Sequence, residues 1–412
     1  MPPDIRPITR EELPDWFRAF GTAFYIWGND PQGMADFRGP RMDLERCLGA
    51  FEDGTMVGTY RSFATRITIP GGARLDAAAV SAVSVRPTHR RQGILTTMIE
   101  RDVRASAARG EVVSVLIAAE WPIYGRFGYG PATWQAKWTL RPKGARFVPK
   151  PVGRVEVVDQ ATARELIPTI YEAYAASQPG EIDRPGHRWD VELGVVEAPG
   201  QPRWKGQFVI HRNAAGEPDG YARFHGEEQW VDMLPEHKLL LDELHGVTDD
   251  ADIDLWRHLA QMDLTASIAG EVRREREPMQ WALADARIAQ VTGRSDFLWL
   301  RILDVERALA ARAWERDGSI VLEVVDDLAS GPGPAAGRVR LEARNGTGTC
   351  RRTDAAPDLT LDARLLGAAY LGGTRLRDAS IGGGATEHRA SALADADALF
   401  ATARQPWCST WF

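Results

Sequence analysis

The sequence predicts a mixed α/β (α+β) fold divided among three units, on three observations. Its 412 residues exceed a common domain of roughly 100–150 residues. Over 79–118 a strand, a basic glycine turn, a helix and a second strand follow without interruption. Pro149, Lys150, Pro151 and Gly153 then form a linker before a second α/β pattern, and a third pattern opens at Leu298. The expected units are 1–149, 150–293 and 294–412.

In the first unit Thr9 and Glu12 form a capping box ahead of Leu13, Trp16, Phe17 and Phe20, predicting a helix whose apolar face packs on a sheet. Residues 21–40 break that period and place Phe24, Tyr25, Trp27 and Phe37 among Gly, Pro and Asp. Such a loop-rich aromatic stretch either caps a core or lines a pocket. Segments 48–51, 56–63 and 66–69 read as strands, joined by Asp53-Gly54 and by Pro70-Gly71-Gly72. An antiparallel meander is expected there.

Residues 79–85 are apolar and β-branched enough for a buried strand, which Pro87 ends. Ile94, Leu95, Met98, Ile99 and Val103 recur at helical spacing over 94–109, with Gly110 as the stop. The amides of Gln92, Gly93 and Ile94 fall at that helix start, where unpaired N–H groups and the dipole favour an anion. Arg90 and Arg91 add positive charge. Isolated, THRRQG is a solvated basic turn; between this strand and this helix it is a phosphate-binding layout.

The run from Arg90 to Leu95 resembles motif A of the GNAT N-acetyltransferases: Arg or Gln, two residues, Gly, one residue, then Gly or Ala. Leu95 departs from the small last residue. With IYGRFGYGPAT at 123–133 in register after PTHRRQG, the chain resembles the Eis-type (enhanced intracellular survival) members. The resemblance implies that Val83, Ser84 and Val85 offer backbone groups to the pantetheine arm of acetyl-CoA. It implies that Arg90, Arg91, Gln92, Gly93, Ile94, Leu95 and Thr96 hold the pyrophosphate, and that Ala119 and Glu120 complete the cleft. It also implies that Phe24 and Trp27 line an acceptor cavity, and that six chains assemble as a homohexamer.

In the second unit, 155–158, 207–211, 221–225 and 240–244 read as strands, and 161–175 and 253–262 as helices, a layout that echoes the first. Where the echo needs a basic glycine turn it has Asp249, Asp250, Asp252 and Asp254, which suit a helix start but repel a pyrophosphate. This unit is expected to be a degenerate GNAT-like fold. In the third, 318–325, 337–343 and 359–361 read as strands, and 363–371 and 391–402 as helices. By resemblance it is a sterol-carrier-like domain.

Acetyl transfer to an amine needs a neutral nucleophile and a proton for the leaving thiolate. Tyr124, just beyond the strand that flanks the cofactor, is the expected general acid, a role the resemblance also gives it. Tyr129 is expected to be structural. The base is less constrained, because spacing compels neither His89 nor Glu120 to reach the acceptor. Aromatic residues at Trp411 and Phe412 suggest a buried end, and the resemblance implies that the C-terminal carboxylate at Phe412 takes the amine's proton.

A net charge of −7 argues against a nucleic-acid partner and favours a small cationic acceptor. By family analogy that acceptor is an aminoglycoside acetylated at several positions, although Ile26 and the residues before Phe412 supply no acidic wall. Cys47, Cys350 and Cys408, three and far apart, fit a reducing cytoplasm. No run approaches a membrane span, the start reads as no secretory signal, and the eight histidines show no ligand spacing, so no metal is expected. The alternative reading is a lipid- or sterol-binding protein with a vestigial acetyltransferase domain; a third is a coenzyme site that only regulates.

Overall fold

A computed structural model describes residues 3–26 and 30–412. Its first sheet has seven strands in the order Asp4–Pro7, Cys47–Glu52, Thr55–Thr68, Arg74–Val85, Val113–Ile117, Leu298–Ile302 and Gly130–Pro131. Cys47–Glu52, Thr55–Thr68 and Arg74–Val85 form the expected meander, and Asp4–Pro7, not expected as a strand, adds to its edge. Arg74–Val85 and Val113–Ile117 run parallel, as they must when a helix, Ile94–Ala108, carries the chain from one to the other. The two strands expected at 56–63 and 66–69 are one of 14 residues, because Ala64 and Thr65 stay paired with Ala78 and Ala77 and nothing interrupts the ladder.

The helix Leu13–Ala23 buries Leu13, Trp16 and Phe17 against Ile8, Cys47 and Met56. Glu12 accepts from the Thr9 amide at 2.8 Å, half of the expected capping box. Residues 21–40 are less irregular than expected, for they contain a helix, Pro31–Arg38. Asp30 caps it by accepting from the Gly33 amide at 2.8 Å, and Pro31 occupies the first turn, where no N–H is needed.

The second sheet runs Ala289–Asp296, Trp134–Leu140, Thr265–Arg273, His237–Gly246, Pro218–Glu227, Gln207–Arg212 and Arg154–Val158. Two strands thus differ from the expected borders at 149 and 293. Trp134–Leu140 belongs to the second sheet, while Leu298–Ile302, expected to open the third unit, pairs with Val113–Ile117 in the first. A linker's composition reports exposure, not which ladder a neighbouring strand joins.

The third unit is a five-stranded sheet, Thr347–Arg352, Gly337–Arg344, Gly318–Val325, Leu359–Asp362 and Ala385–Glu387, covered by helices that include Ala363–Ala369 and Ala392–Phe400. It is tied to the first unit through buried charge. Arg301 pairs with Asp326 at 2.7 Å, and Glu100, on the helix Ile94–Ala108, accepts from the amides of Ala329 and Ser330 at 2.7 and 3.0 Å. Among the described residues no helix is long and apolar enough to cross a membrane.

Candidate active site

Two left-handed residues shape the turn before the helix Ile94–Ala108, Arg91 at φ 65° and Gly93 at φ 79°. The second is the N-cap, and it has no side chain to satisfy the amides that follow. Consequently the N–H groups of Arg91, Gln92, Gly93, Ile94, Leu95 and Thr96 have no acceptor among the described residues. Arg90 and Arg91 are exposed beside them. A row of free amides, a dipole end and two cations form a cradle that fits a pyrophosphate.

The cradle opens onto a gap in the sheet. Arg74–Val85 pairs with Val113–Ile117 only from Ala77↔Val113 to Val80↔Leu116, and beyond Val80 the two strands part. On the other side the register shifts between Thr59↔Ser84 and Arg61↔Ser81, so Ala82 and Val83 together oppose Tyr60. Ala82 sits at φ 53°, and its carbonyl accepts from the Thr59 hydroxyl at 2.8 Å. This bulge bends the strand away from its parallel neighbour. Ser84 is buried and bonded to Thr59 at 2.7 Å, whereas Val83 and Val85 are half-buried at the gap. A pantetheine-sized arm can enter there between two strands.

Across the gap, Ala119 and Glu120 are exposed, and a short helix, Trp121–Tyr124, follows. Tyr124 is 7% exposed, and its ring stands edge-on to Tyr129 with centroids 6.3 Å apart. Burial, with the charge of Glu120 adding, pushes its pKa up to about 12. Its hydroxyl has no hydrogen-bond partner among the described residues. Tyr129, fully buried, shares a 2.7 Å hydrogen bond with Ser114. Burial raises the pKa of both phenols, and they differ in that only the hydroxyl of Tyr129 is engaged in a hydrogen bond. His89 is bonded to Glu52 at 2.6 Å and Thr88 at 2.8 Å.

Comparison with known proteins agrees with this geometry. Residues 4–132 and 180–302 each match an acetyltransferase (GNAT) domain, and 305–409 match a sterol carrier protein domain. An uncharacterized N-acetyltransferase of Streptomyces griseus is 39% identical over 417 residues, covering 99% of each chain. The N-acetyltransferase Eis of Mycobacterium tuberculosis is 36% identical over 361 residues, covering 85% of this chain and 81% of its own. The crystal structure of Eis1 from Mycobacterium abscessus superposes with a TM-score of 0.85 at 32% identity, covering 99% of this chain and 100% of that one. The chain belongs to the Eis-type GNAT acetyltransferases. It is an N-acetyltransferase of two GNAT folds and a sterol-carrier-like domain, and GNAT enzymes use acetyl-CoA.

In this Eis-type chain the C-terminal segment ends on the first sheet. The ring of Phe412 is 5.7 Å from that of Phe63, and Phe63 lies opposite Ala79, one residue before the gap opens. Burial of both terminal aromatics was expected; Phe412 is half-buried, but Trp411 is 64% exposed, with one face on Phe297 at 5.7 Å. Phe24 is 42% exposed at the end of its helix, its ring tilted against that of Phe20 with centroids 4.8 Å apart. Trp27, the other candidate, lies outside the described residues. Sequence reasoning passed over Phe63 and Arg61, which share one face of a strand at a spacing of two.

The second GNAT fold of this enzyme is closed from within. His237–Gly246 and Thr265–Arg273 also part after Leu241↔Gly270, but Arg273 fills that gap. It donates to the Leu244 carbonyl at 2.5 Å and to Glu277 at 2.8 Å, between Trp256 and Trp407 at 5.7 and 5.3 Å. At the helix start Thr248 caps Ala251 at 3.2 Å, and Asp252 accepts from the Gly246 amide at 2.7 Å while pairing with Arg274. The chain's own carboxylate therefore occupies the place an anion would take. Among the described residues no group of three or more His, Cys, Asp or Glu could hold a metal ion.

Proposed function

We propose that the enzyme transfers the acetyl group of acetyl-CoA to a primary amine of a small acceptor in the gap beside Arg74–Val85, with Tyr124 as general acid. The observation that carries this reading is the row of unpaired amides from Arg91 to Thr96, continuous with a gap that ends near a buried phenol. Gly93 and Ile94 at the centre of that row, with Arg90 and Arg91, hold the phosphates. Val83, Ser84 and Val85 line one side of the arm, and Ala119 and Glu120 the other. The bound thioester supplies an activated carbonyl carbon.

The amine nitrogen forms a bond to that carbon while the carbon–sulfur bond breaks. The amine's proton passes to the carboxylate of Phe412, and the departing sulfur takes the proton of Tyr124. A carboxylate with an ordinary pKa of about 3.5 is a weak base, but it stays ionised and draws an ammonium toward it. Membership of the family supports this assignment, as does the seat of the Phe412 ring on Phe63. Hexameric assembly, which comes from the resemblance, and a cytoplasmic location, which comes from the three scattered cysteines, belong to the same proposal; sedimentation of the full chain tests the first.

The small cationic acceptor, an aminoglycoside modified at several positions, comes from net charge and family analogy. It is one arm of the deciding experiment, in which release of coenzyme A thiol is followed over a panel of amines. Thiol release that depends on amine and is lost in Tyr124→Phe supports the reading, and coenzyme binding with no transfer to any amine overturns it. The lipid-carrier alternative needs an apolar cavity in the third unit. Its interior is instead filled by Trp314, Leu322, Leu341, Leu365, Tyr370 and Phe400, each 2% exposed or less.

A further inference from the structure

Residues 401–412 form neither helix nor strand, so the place of Phe412 on the first sheet is fixed by contacts along the tail and not by regular structure. A chain end without such contacts frays. From Arg404 to Thr410 the partners of this tail belong to the second unit. The Arg404 guanidinium donates to the Gln178 side-chain oxygen at 3.0 Å, the Gln178 side-chain amide donates to the Gln405 carbonyl at 2.9 Å, and the Trp407 N–H donates to the Pro179 carbonyl at 2.9 Å.

At Ser409 and Thr410 the grip becomes charged and dry. Glu181 accepts from the Ser409 N–H at 2.8 Å, while Arg184 donates to the Ser409 hydroxyl at 2.7 Å and, through Nε, to the Thr410 hydroxyl at 2.7 Å. The Tyr171 hydroxyl donates to Glu181 at 2.9 Å and lies 3.0 Å from the Thr410 hydroxyl. Glu181, Tyr171 and Thr410 are each 1% exposed or less, and the Arg184 side chain is 2% exposed. Glu243 at 2.6 Å and the Tyr171 ring at 4.1 Å hold the guanidinium in turn. Buried charged partners bond more strongly than neutral ones and are costly to leave unmet. The tail therefore resists slipping past this point.

The segment that grips the tail is also fastened to the catalytic sheet. Cys47–Glu52 pairs with Thr55–Thr68 only as far as Arg61, and the strand edge beyond is covered by 180–183. The Thr68 N–H donates to the Glu181 carbonyl at 2.9 Å, the Gly180 N–H to the Thr68 carbonyl at 2.8 Å, and the Asp183 N–H to the Arg66 carbonyl at 3.1 Å. Glu181 thus spends its backbone on the strand that carries Phe63 and its side chain on the tail that carries Phe412.

We propose that Glu181 and Arg184, in the GNAT fold whose own coenzyme gap is filled, are positioning residues for the terminal carboxylate, holding Ser409 and Thr410 so that Phe412 stays on Phe63 beside the gap. This rests on the reading of the Phe412 carboxylate as base. It gives the second fold a part in the reaction: it sets where the chain ends relative to the thioester. A reacting group displaced by about 1 Å loses up to roughly 100-fold in rate, so a clamp two residues from the base bears directly on kcat.

Thr410→Val keeps the side chain's shape and removes its hydroxyl. In the full-length enzyme it should lower kcat by about tenfold or more with KM for acetyl-CoA unchanged, and Thr410→Ser should keep most of the activity. Glu181→Gln should act in the same direction as Thr410→Val. In a chain lacking Phe412 neither substitution should lower the residual kcat further, because the group they position is gone. Release of free phenylalanine by carboxypeptidase A reads the hold on the chain end without turnover, and should quicken by about tenfold or more in both variants. Losses of equal size with and without Phe412 overturn the inference, and so does an unchanged kcat or an unchanged release in Thr410→Val. Full kcat in the chain lacking Phe412 fails the base assignment instead; quicker release in the two variants would then still uphold the clamp.

Discussion

The ring of Phe412 stands edge-on to the ring of Phe63, 87° between planes, so the last residue of the chain rests on a strand laid down 349 positions earlier. If its carboxylate is the base, removing Phe412 should lower kcat by about 100-fold or more while leaving coenzyme affinity unchanged. Residues appended after Phe412 should act in the same direction. Thiol release and coenzyme titration measure the two quantities; an extended enzyme with full kcat places the base elsewhere.

Tyr124→Phe should cost about 100-fold or more in kcat with little change in KM for acetyl-CoA. Because burial holds this phenol near 12, it remains protonated throughout the usual assay range. An alkaline fall in rate well below that value would therefore have another origin, and should persist at the same pH in the variant's residual activity.

Gly93→Ala forces a side chain into φ 79° at the head of the cradle. The strain of about 1–2 kcal/mol should raise KM for acetyl-CoA roughly tenfold. Initial rates against coenzyme concentration test it, and an unaltered KM removes this turn from the phosphate site.

Trp407 is 1% exposed in the core of the second unit. Trp407→Ala should destabilise the protein by roughly 3–5 kcal/mol, read from denaturant melts. Coenzyme stoichiometry should stay at one per chain, because Arg273 and Asp252 still fill the second gap and its helix start.

His245 is buried, and burial above all depresses its pKa from 6.5 to about 4. Between those values the unfolded chain holds a proton that the folded chain excludes. Stability from this group is complete above pH 6.5 and falls as pH drops to about 4, by roughly 3 kcal/mol at most. Urea melts over that range should show the slope, and His245→Gln should flatten it.

The cradle was legible in the sequence because it is local: strand, turn and helix are contiguous, and Gly93 marks the turn by itself. Tyr124 was found by its distance from a strand end, and the degenerate second helix start by its acids. What stayed hidden depends on pairing between distant residues. Nothing near Trp134 or Leu298 says which ladder each will join. Arg273 and Trp407 meet only after folding, so the closure of the second gap was inferred from repulsion alone and not from the side chains that fill it.

The exchange of strands between the first two sheets also bears on biosynthesis. Val115 faces Leu300 across its ladder, so the catalytic sheet stays open-edged on the ribosome until nearly three quarters of the polypeptide has emerged. Such long-range closure is slow, and the waiting edge of Val113–Ile117 is apolar. Severing the chain at the Pro-rich linker would strand that edge permanently, so proteolytic or recombinant halves should precipitate instead of yielding a working module.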